Sequence, residues 1–271
     1  MHVDSDFILE KIKDCGEILK NYYFSNKKIQ FEVKEDGSKV TQLDNYISFF
    51  FQKELRKKYP EMPFFSQEES KNLHEISNVD KFFLMDPIDG TNGFIKKNDE
   101  FTINISFVSN EKPVFSCIFS PIKDMLFYSN ENASYKVLDG KNIKIKNKNK
   151  NLLDFYKVIA TRRKEEVVKI NMTLQKYNLQ YKLQHISSAL KFCIIADGYA
   201  DIYLRKENIK LWDALAGFHI LNNANFFIKD GKGNNILNYI LKKKYLKNIQ
   251  EKKFRINEFI IQNTKYLDLR F

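Results

Sequence analysis

Apolar side chains recur at Phe7, Ile8, Ile12, Cys15, Ile18, Leu19, Tyr22 and Tyr23. That spacing predicts an amphipathic helix over residues 4–24. A second helical pattern runs through Ile47, Phe50, Phe51 and Leu55, with Thr41 or Asp44 as its start. Between them Asp36 and Gly37 signal a turn. Phe64 and Phe65 run into Glu68 and Glu69, a strand entering a loop, and the polar residues 71–80 read as a further loop. Residues 101–108 alternate strictly, as a half-buried strand does. Strands at 113–119, 124–128 and from Tyr135 continue an antiparallel meander, with Asp139 and Gly140 as a hairpin turn. Residues 141–151 are mostly Lys and Asn and read as an exposed turn or boundary.

The second half alternates strands with helices. A strand begins at Tyr156 and ends at the basic cluster Arg162, Arg163 and Lys164, either a solvated helix start or an anion contact. Residues 165–177 are helical. Residues 187–196 read as a capped, largely buried helix stopped by Gly198. A strand over 200–204 leads to Arg205. Another helix opens at Trp212, a core residue, with Asp213 placed to cap it or to point a carboxylate off its end. Residues 254–261 form a last strand. The pattern predicts stacked α and β layers, with an α+β half over 1–150 and an α/β half over 151–271.

Composition narrows this little. Of 271 residues, 43% are apolar, enough for a large core. Cys15, Cys117 and Cys193 form no CxxC pair and read as reduced core thiols, which predicts a cytoplasmic protein. The four histidines make no zinc-ligand spacing. The amino terminus lacks a signal-peptide pattern, and no apolar run is long enough for a transmembrane segment. A net charge of +11 is compatible with an anionic partner. The lysines are spread along a chain rich in Lys, Asn, Ile, Phe and Tyr, so composition bias explains the charge better.

The chemistry concentrates in residues 83–94. Phe83, Leu84 and Met85 run straight into Asp86, Pro87, Ile88, Asp89, Gly90 and Thr91. An apolar run bounded by turn residues reads as a buried strand reaching the surface. Two neighbouring carboxylates repel each other unless a cation lies between them, and hard oxygen ligands suit Mg²⁺. Gly90 and Thr91 add amides and a hydroxyl that can hold a phosphate. The stretch points to Mg²⁺-dependent phosphate chemistry; a polar turn with a capping Asp is the plainer alternative.

Asp86, Asp89, Gly90 and Thr91, taken with Trp212, Asp213 and Gly217, resemble the inositol monophosphatase family of Mg²⁺-dependent phosphatases. Residues 36–44 and 66–70 fit that family's two earlier motifs, in order. The resemblance covers nearly the whole chain, and four ordered motifs make it specific. Residues 190–205 look most like its 3′(2′),5′-bisphosphate nucleotidase branch, which removes the 3′-phosphate from adenosine 3′,5′-bisphosphate, a by-product of sulfate assimilation.

The resemblance implies an αβαβα five-layer sandwich and two or three Mg²⁺ ions. The ligands would be Glu68, Asp86, Asp89 and Asp213, with the Ile88 carbonyl and with Asp44 near a third ion. Thr91 and Glu68 would be catalytic, orienting and deprotonating the attacking water. Gly90 and Thr91 amides would hold the phosphate, lying along the substrate with Glu68, Ile88, Asp89 and Asp213. Ser188, Lys191 and Arg205 would contact its remainder, Lys191 and Arg205 through charge. The partner implied is a small phosphorylated substrate, on a monomer or homodimer.

This chain departs from the pattern at Gln67, Ser187, Ala189, Leu204 and 223–225, none of them a metal ligand. Inositol monophosphate and fructose 1,6-bisphosphate would suit the same metal centre. Haloacid dehalogenase phosphatases, with their DxDGT motif, fit poorly, because Asp86 and Asp89 are one residue too far apart. A basic nucleic-acid-binding protein without activity fits poorly too, since no RNA-binding module is recognisable.

Overall fold

The periodic stretches at the amino terminus become an outer helical layer. The computed structural model describes residues 3–26, 28–34, 37–148 and 150–271, except the side chains of Ser70 and Lys71. Helix α1 (Ser5–Phe24) is capped by Asp4, whose carboxylate accepts from the Phe7 amide, and buries Ile8, Ile12, Cys15 and Leu19. A hairpin of β1 (Phe31–Val33) and β2 (Lys39–Thr41) follows. Asp36 of its expected turn lies outside the described residues, while Gly37 has a φ of 78°. Helix α2 (Gln42–Lys58) opens with a capping box in which the Thr41 and Asp44 side chains each accept from the other's amide. Such a cap is worth about 1 kcal/mol.

Seven strands form the first large sheet in chain order: β3 (Phe64–Ser66), β4 (Lys81–Asp89), β5 (Thr102–Ser109), β6 (Lys112–Ser120), β7 (Met125–Ser129), β8 (Ser134–Leu138) and β9 (Lys141–Ile145). Only β3 and β4 run parallel. The short helix α3 (Thr91–Lys96) leaves the end of β4.

The second half supplies β10 (Tyr156–Ala160), α4 (Lys164–Gln175), β11 (Tyr181–His185), α5 (Leu190–Ala196), β12 (Ile202–Arg205), β13 (Ile209–Lys210), α6 (Leu211–Asn223), β14 (Phe227–Asp230), α7 (Lys243–Gln250), β15 (Arg255–Ile256) and β16 (Phe259–Gln262). Its large sheet has the order β11-β10-β12-β16-β14, parallel among β10, β11 and β12 and antiparallel beyond.

Three apolar interiors hold five layers together, the second lying on both sides of the middle helices. α1 and α2 pack on one face of the seven-stranded sheet through Ile12, Ile47, Phe51, Phe83 and Phe107. The opposite face, α5 and α6, and the five-stranded sheet share a second interior that includes Phe82, Phe192, Leu215, Phe218 and Phe259. α4 covers the outer face of that second sheet through Ile170 and Leu174. The result is the αβαβα sandwich. α6 is buried nearly all round, as a helix in a middle layer must be. Gly217 allows α5 and α6 to touch: a Cβ there would stand 2.2 Å from the Phe192 ring.

Local details differ from the sequence reading. Residues expected as a loop at 71–80 largely form a 3₁₀ segment, Ser70–Asn78, because Leu73 and Ile76 are buried against the second interior. Residues 141–145, expected as an exposed turn, are the edge strand β9, paired with β8 although its Lys and Asn side chains face solvent. Strand β11 was not expected, although Leu179, Tyr181 and Leu183 alternate with polar residues and pack toward the third interior. α5 starts at Leu190 with no side-chain cap, and Lys210 rather than Asp213 is the N-cap residue of α6.

Candidate active site

β4 delivers two carboxylates to one place by means of an irregularity. In a regular strand, residues three apart face opposite sides. Asp86 pairs with Asn104 and Asp89 with Thr102, so three steps on β4 match two on β5. The additional residue forms a bulge around Pro87, which has no amide to offer the ladder. The strand therefore runs through Pro87 to Asp89 rather than stopping at Met85. Asp213 arrives from the first turn of α6. One carboxylate oxygen from each of Asp86, Asp89 and Asp213 lies within 4.8 Å of the others.

These acids are poorly compensated. Asp86 is 1% exposed, and its one hydrogen-bond donor from the backbone nearby is the Ile88 amide at 3.2 Å. Burial first, then repulsion from Asp89, Asp213, Glu68 and Asp44, holds its carboxyl well above the usual carboxylate range. Burial and the Asp89 charge push Asp213 up to about 7. Burial also raises Asp89, opposed by the Lys191 charge, a hydrogen bond from Asn104 and the Ala189 amide. Three carboxylates with raised proton affinity, with no histidine or cysteine in the group, form a donor set suited to a hard divalent cation such as Mg²⁺.

The remaining site residues surround this cluster. Gly90 follows Asp89 with a φ of 89°, and a Cβ there would stand 2.7 Å from the Glu100 carbonyl oxygen, so only glycine fits the turn into α3. The Thr91 hydroxyl donates to the Ile88 carbonyl at 3.0 Å and lies 3.3 Å from Asp44 Oδ1. Asp44 thus serves as cap and also supports the site from behind: Oδ2 accepts from the Thr41 amide at 2.7 Å, while Oδ1 faces Thr91. Burial and the Glu68 charge push Asp44 up to about 7. Glu68 stands apart from the three-carboxylate cluster, in an ion pair with Lys34 at 2.6 Å.

On the other side, Lys191 Nζ donates to the Ser188 carbonyl at 2.5 Å. Burial lowers this ammonium to about 8 against the pull of Asp89. Arg205 is held by Glu166 at 3.5 Å and by the carbonyls of Glu207 and Asn208 at 3.2 Å each. Glu68, Asp86, Ile88, Asp89, Gly90, Thr91, Lys191, Arg205 and Asp213 line one cleft of about 1310 Å³, with Arg162, Lys210, Lys253 and Arg255 at other points of its wall.

Sequence reasoning did not single out Lys34, Asn104 or Glu166. Asn104 carried no signal of its own, because the alternation of 101–108 already puts a polar residue there. Nor did Lys34 and Glu166, since only folding shows what each one meets.

The chain belongs to the inositol monophosphatase family, whose sequence profile matches residues 4–263. It is 34% identical over 239 residues, 87% of each chain, to the 3′(2′),5′-bisphosphate nucleotidase CysQ of Buchnera aphidicola. Among solved structures, CysQ from Bacteroides thetaiotaomicron shares its fold with a TM-score of 0.70, at 22% identity over 94% of this chain and 95% of that one. An IMPase/NADP phosphatase complexed with Mg²⁺ and phosphate does so with a TM-score of 0.74, at 19% identity over 95% of this chain and 89% of that one.

Proposed function

We propose that the chain is a Mg²⁺-dependent phosphomonoesterase that converts adenosine 3′,5′-bisphosphate to AMP and inorganic phosphate. The observation that carries this reading is the cluster of Asp86, Asp89 and Asp213 at the floor of a cleft whose walls hold Lys191 and Arg205. The likeness to bisphosphate nucleotidases supports the substrate.

Asp86, Asp89 and Asp213 would hold the cation, with the Ile88 carbonyl beside them and Glu68 and Asp44 serving up to two further ions. Bound there, Mg²⁺ supplies Lewis-acid polarisation of the phosphoryl group. Gly90 and Thr91 amides would orient the phosphate at the turn into α3. The Thr91 hydroxyl, placed between the Ile88 carbonyl and Asp44, would orient the attacking water. Glu68, held in position by Lys34, would accept the water's proton with Thr91 as relay. The new bond joins the water oxygen to phosphorus, the ester P–O bond breaks, and the leaving oxygen takes up a proton. Lys191, Arg205 and Ser188 would contact the nucleotide. Three free, buried cysteines are compatible with a reducing, cytoplasmic setting. Among the described residues no helix is long and apolar enough to cross a membrane.

The test is phosphate release with Mg²⁺ from adenosine 3′,5′-bisphosphate and from inositol 1-phosphate, with an EDTA control. Faster, EDTA-sensitive release from the nucleotide is expected. Preference for the inositol ester would overturn the nucleotide assignment, and release insensitive to EDTA would overturn the metal.

A further inference from the structure

Gly90 is gripped from two sides. A Cβ on it would stand 2.7 Å from the Glu100 carbonyl oxygen and 3.0 Å from the Ser188 Cβ. Glu100 belongs to the loop between α3 and β5, and Ser188 to the segment that leads from β11 into α5. The Glu100 carboxylate joins that loop to that segment. Its Oε2 accepts from the Ser187 amide at 3.1 Å, and its Oε1 pairs with Arg162 at 2.7 Å. Arg162, Ser187 and Ser188 line the cleft, and Glu100 does not. Whatever Glu100 does there, it does through its neighbours.

The backbone between the two contacts is strained. Ser188 has a φ of 55°. A left-handed serine is uncommon and persists only where its surroundings impose it. Both of its neighbours are tied to a carboxylate. The Ser187 amide donates to Glu100, and the Ala189 amide donates to Asp89, one of the three clustered acids. Glu100 is itself held firmly. Its amide donates to the Asn98 side chain at 3.1 Å, and Asp99 before it exchanges hydrogen bonds with the Tyr23 hydroxyl of α1. A charge-assisted bond to a fixed carboxylate is strong enough to hold a strained turn. Without it, residues 187 and 188 can relax, and the Ala189 amide loses its aim at Asp89.

We infer that Glu100 is a positioning residue for the metal centre: it holds the Ser187 amide, and thereby keeps the left-handed turn that points the Ala189 amide at Asp89. The inference rests on the Mg²⁺-dependent reading above and adds to it a residue that touches neither cation nor substrate. Groups that orient a ligating side chain change metal affinity or activity by roughly ten- to a hundredfold when removed. Glu100 acts one link further out, so its effect belongs at the lower end.

The experiment titrates Mg²⁺ into the full chain by calorimetry and measures kcat on adenosine 3′,5′-bisphosphate, in the wild type, Glu100→Ala and Glu100→Gln. The Mg²⁺ Kd should rise about tenfold in Glu100→Ala. Its Tm without Mg²⁺ should fall by no more than about 5 °C, because the Arg162 partner is largely exposed. With Mg²⁺ raised well above the new Kd, kcat should return to within about threefold of the wild type, as mass action offsets the lost affinity. Glu100→Gln keeps an acceptor for the Ser187 amide and should bind Mg²⁺ nearly as the wild type does. Unchanged Mg²⁺ affinity in Glu100→Ala would overturn the inference alone, and so would a Gln variant as weak as the Ala one. A larger fall in Tm, with no recovery of kcat at high Mg²⁺, would overturn it by making Glu100 structural. No Mg²⁺ binding by the wild type would remove both readings.

Discussion

Two groups of buried carboxylates differ in what surrounds them. Glu166 is fully buried, yet it accepts from the Thr161 hydroxyl at 2.9 Å and from the amides of Lys206 and Glu207, with Arg205 at 3.5 Å. Asp201 is served by Lys150, the Lys157 amide and Asn263 at 2.8–2.9 Å. Burial raises Asp201, but these donors outweigh it and hold the carboxyl below its ordinary range. Asp86 faces other acids instead, and its carboxyl is driven upward. A buried acid whose partners all come from the chain belongs to the scaffold. One surrounded by acids is complete only when a cation arrives from outside.

The comparison is broken most directly at Asp86. Asp86→Asn should lower phosphate release by about 10³-fold, equivalent to ~4 kcal/mol of transition-state stabilisation. Its thermal midpoint without Mg²⁺ should stay level or rise, because repulsion is relieved. Retained turnover would remove Asp86 from the site.

Glu166→Ala should do the reverse to the scaffold. It leaves the buried Arg205 without its carboxylate and should cost roughly 3–5 kcal/mol in urea unfolding. A loss below ~1 kcal/mol would show that Glu166 is not structural. Next in size is the effect of the metal. Mg²⁺ at about 100 times its Kd should stabilise the wild type by about 2.7 kcal/mol, raising Tm by about 5 °C or more. The gain should shrink in Asp86→Asn and persist in Glu166→Ala; equal gains in both would dissolve the distinction.

The smallest effect comes from a buried base. His219, 2% exposed between Ser116 and Asn223, is driven by burial down to about 3 from 6.5. The unfolded chain takes up a proton below pH 6.5 that the folded chain refuses. Stability is therefore full above pH 6.5 and falls as pH drops toward 3, by up to ~1.4 kcal/mol per unit. His219→Gln should remove that slope in unfolding measured from pH 7.5 to 5.5; an unchanged slope would place its origin in other groups.

Much of this architecture is legible along the chain. The periodicity of residues 4–24, the alternation of 101–108 and the glycine after Asp89 are short-range signals, and α1, β5 and the turn into α3 follow from them. β9 was not legible, because its Lys and Asn residues carry no apolar face and only pairing with β8 makes it a strand. The 3₁₀ segment at Ser70–Asn78 hid for a related reason: two apolar residues in a polar stretch show no period until a core receives them.

By itself, then, the sequence determined the strongly patterned elements and which acids stand next to turns, since propensity, periodicity and turn chemistry act over a few residues. Only the tertiary structure decided that a bulge at Pro87 turns Asp86 and Asp89 into one cluster, that α6 carries Asp213 to meet them, and that Glu166 is neutralised where Asp86 is not. Those outcomes depend on groups remote in the chain, and electrostatic balance in a buried site is set by neighbours in space.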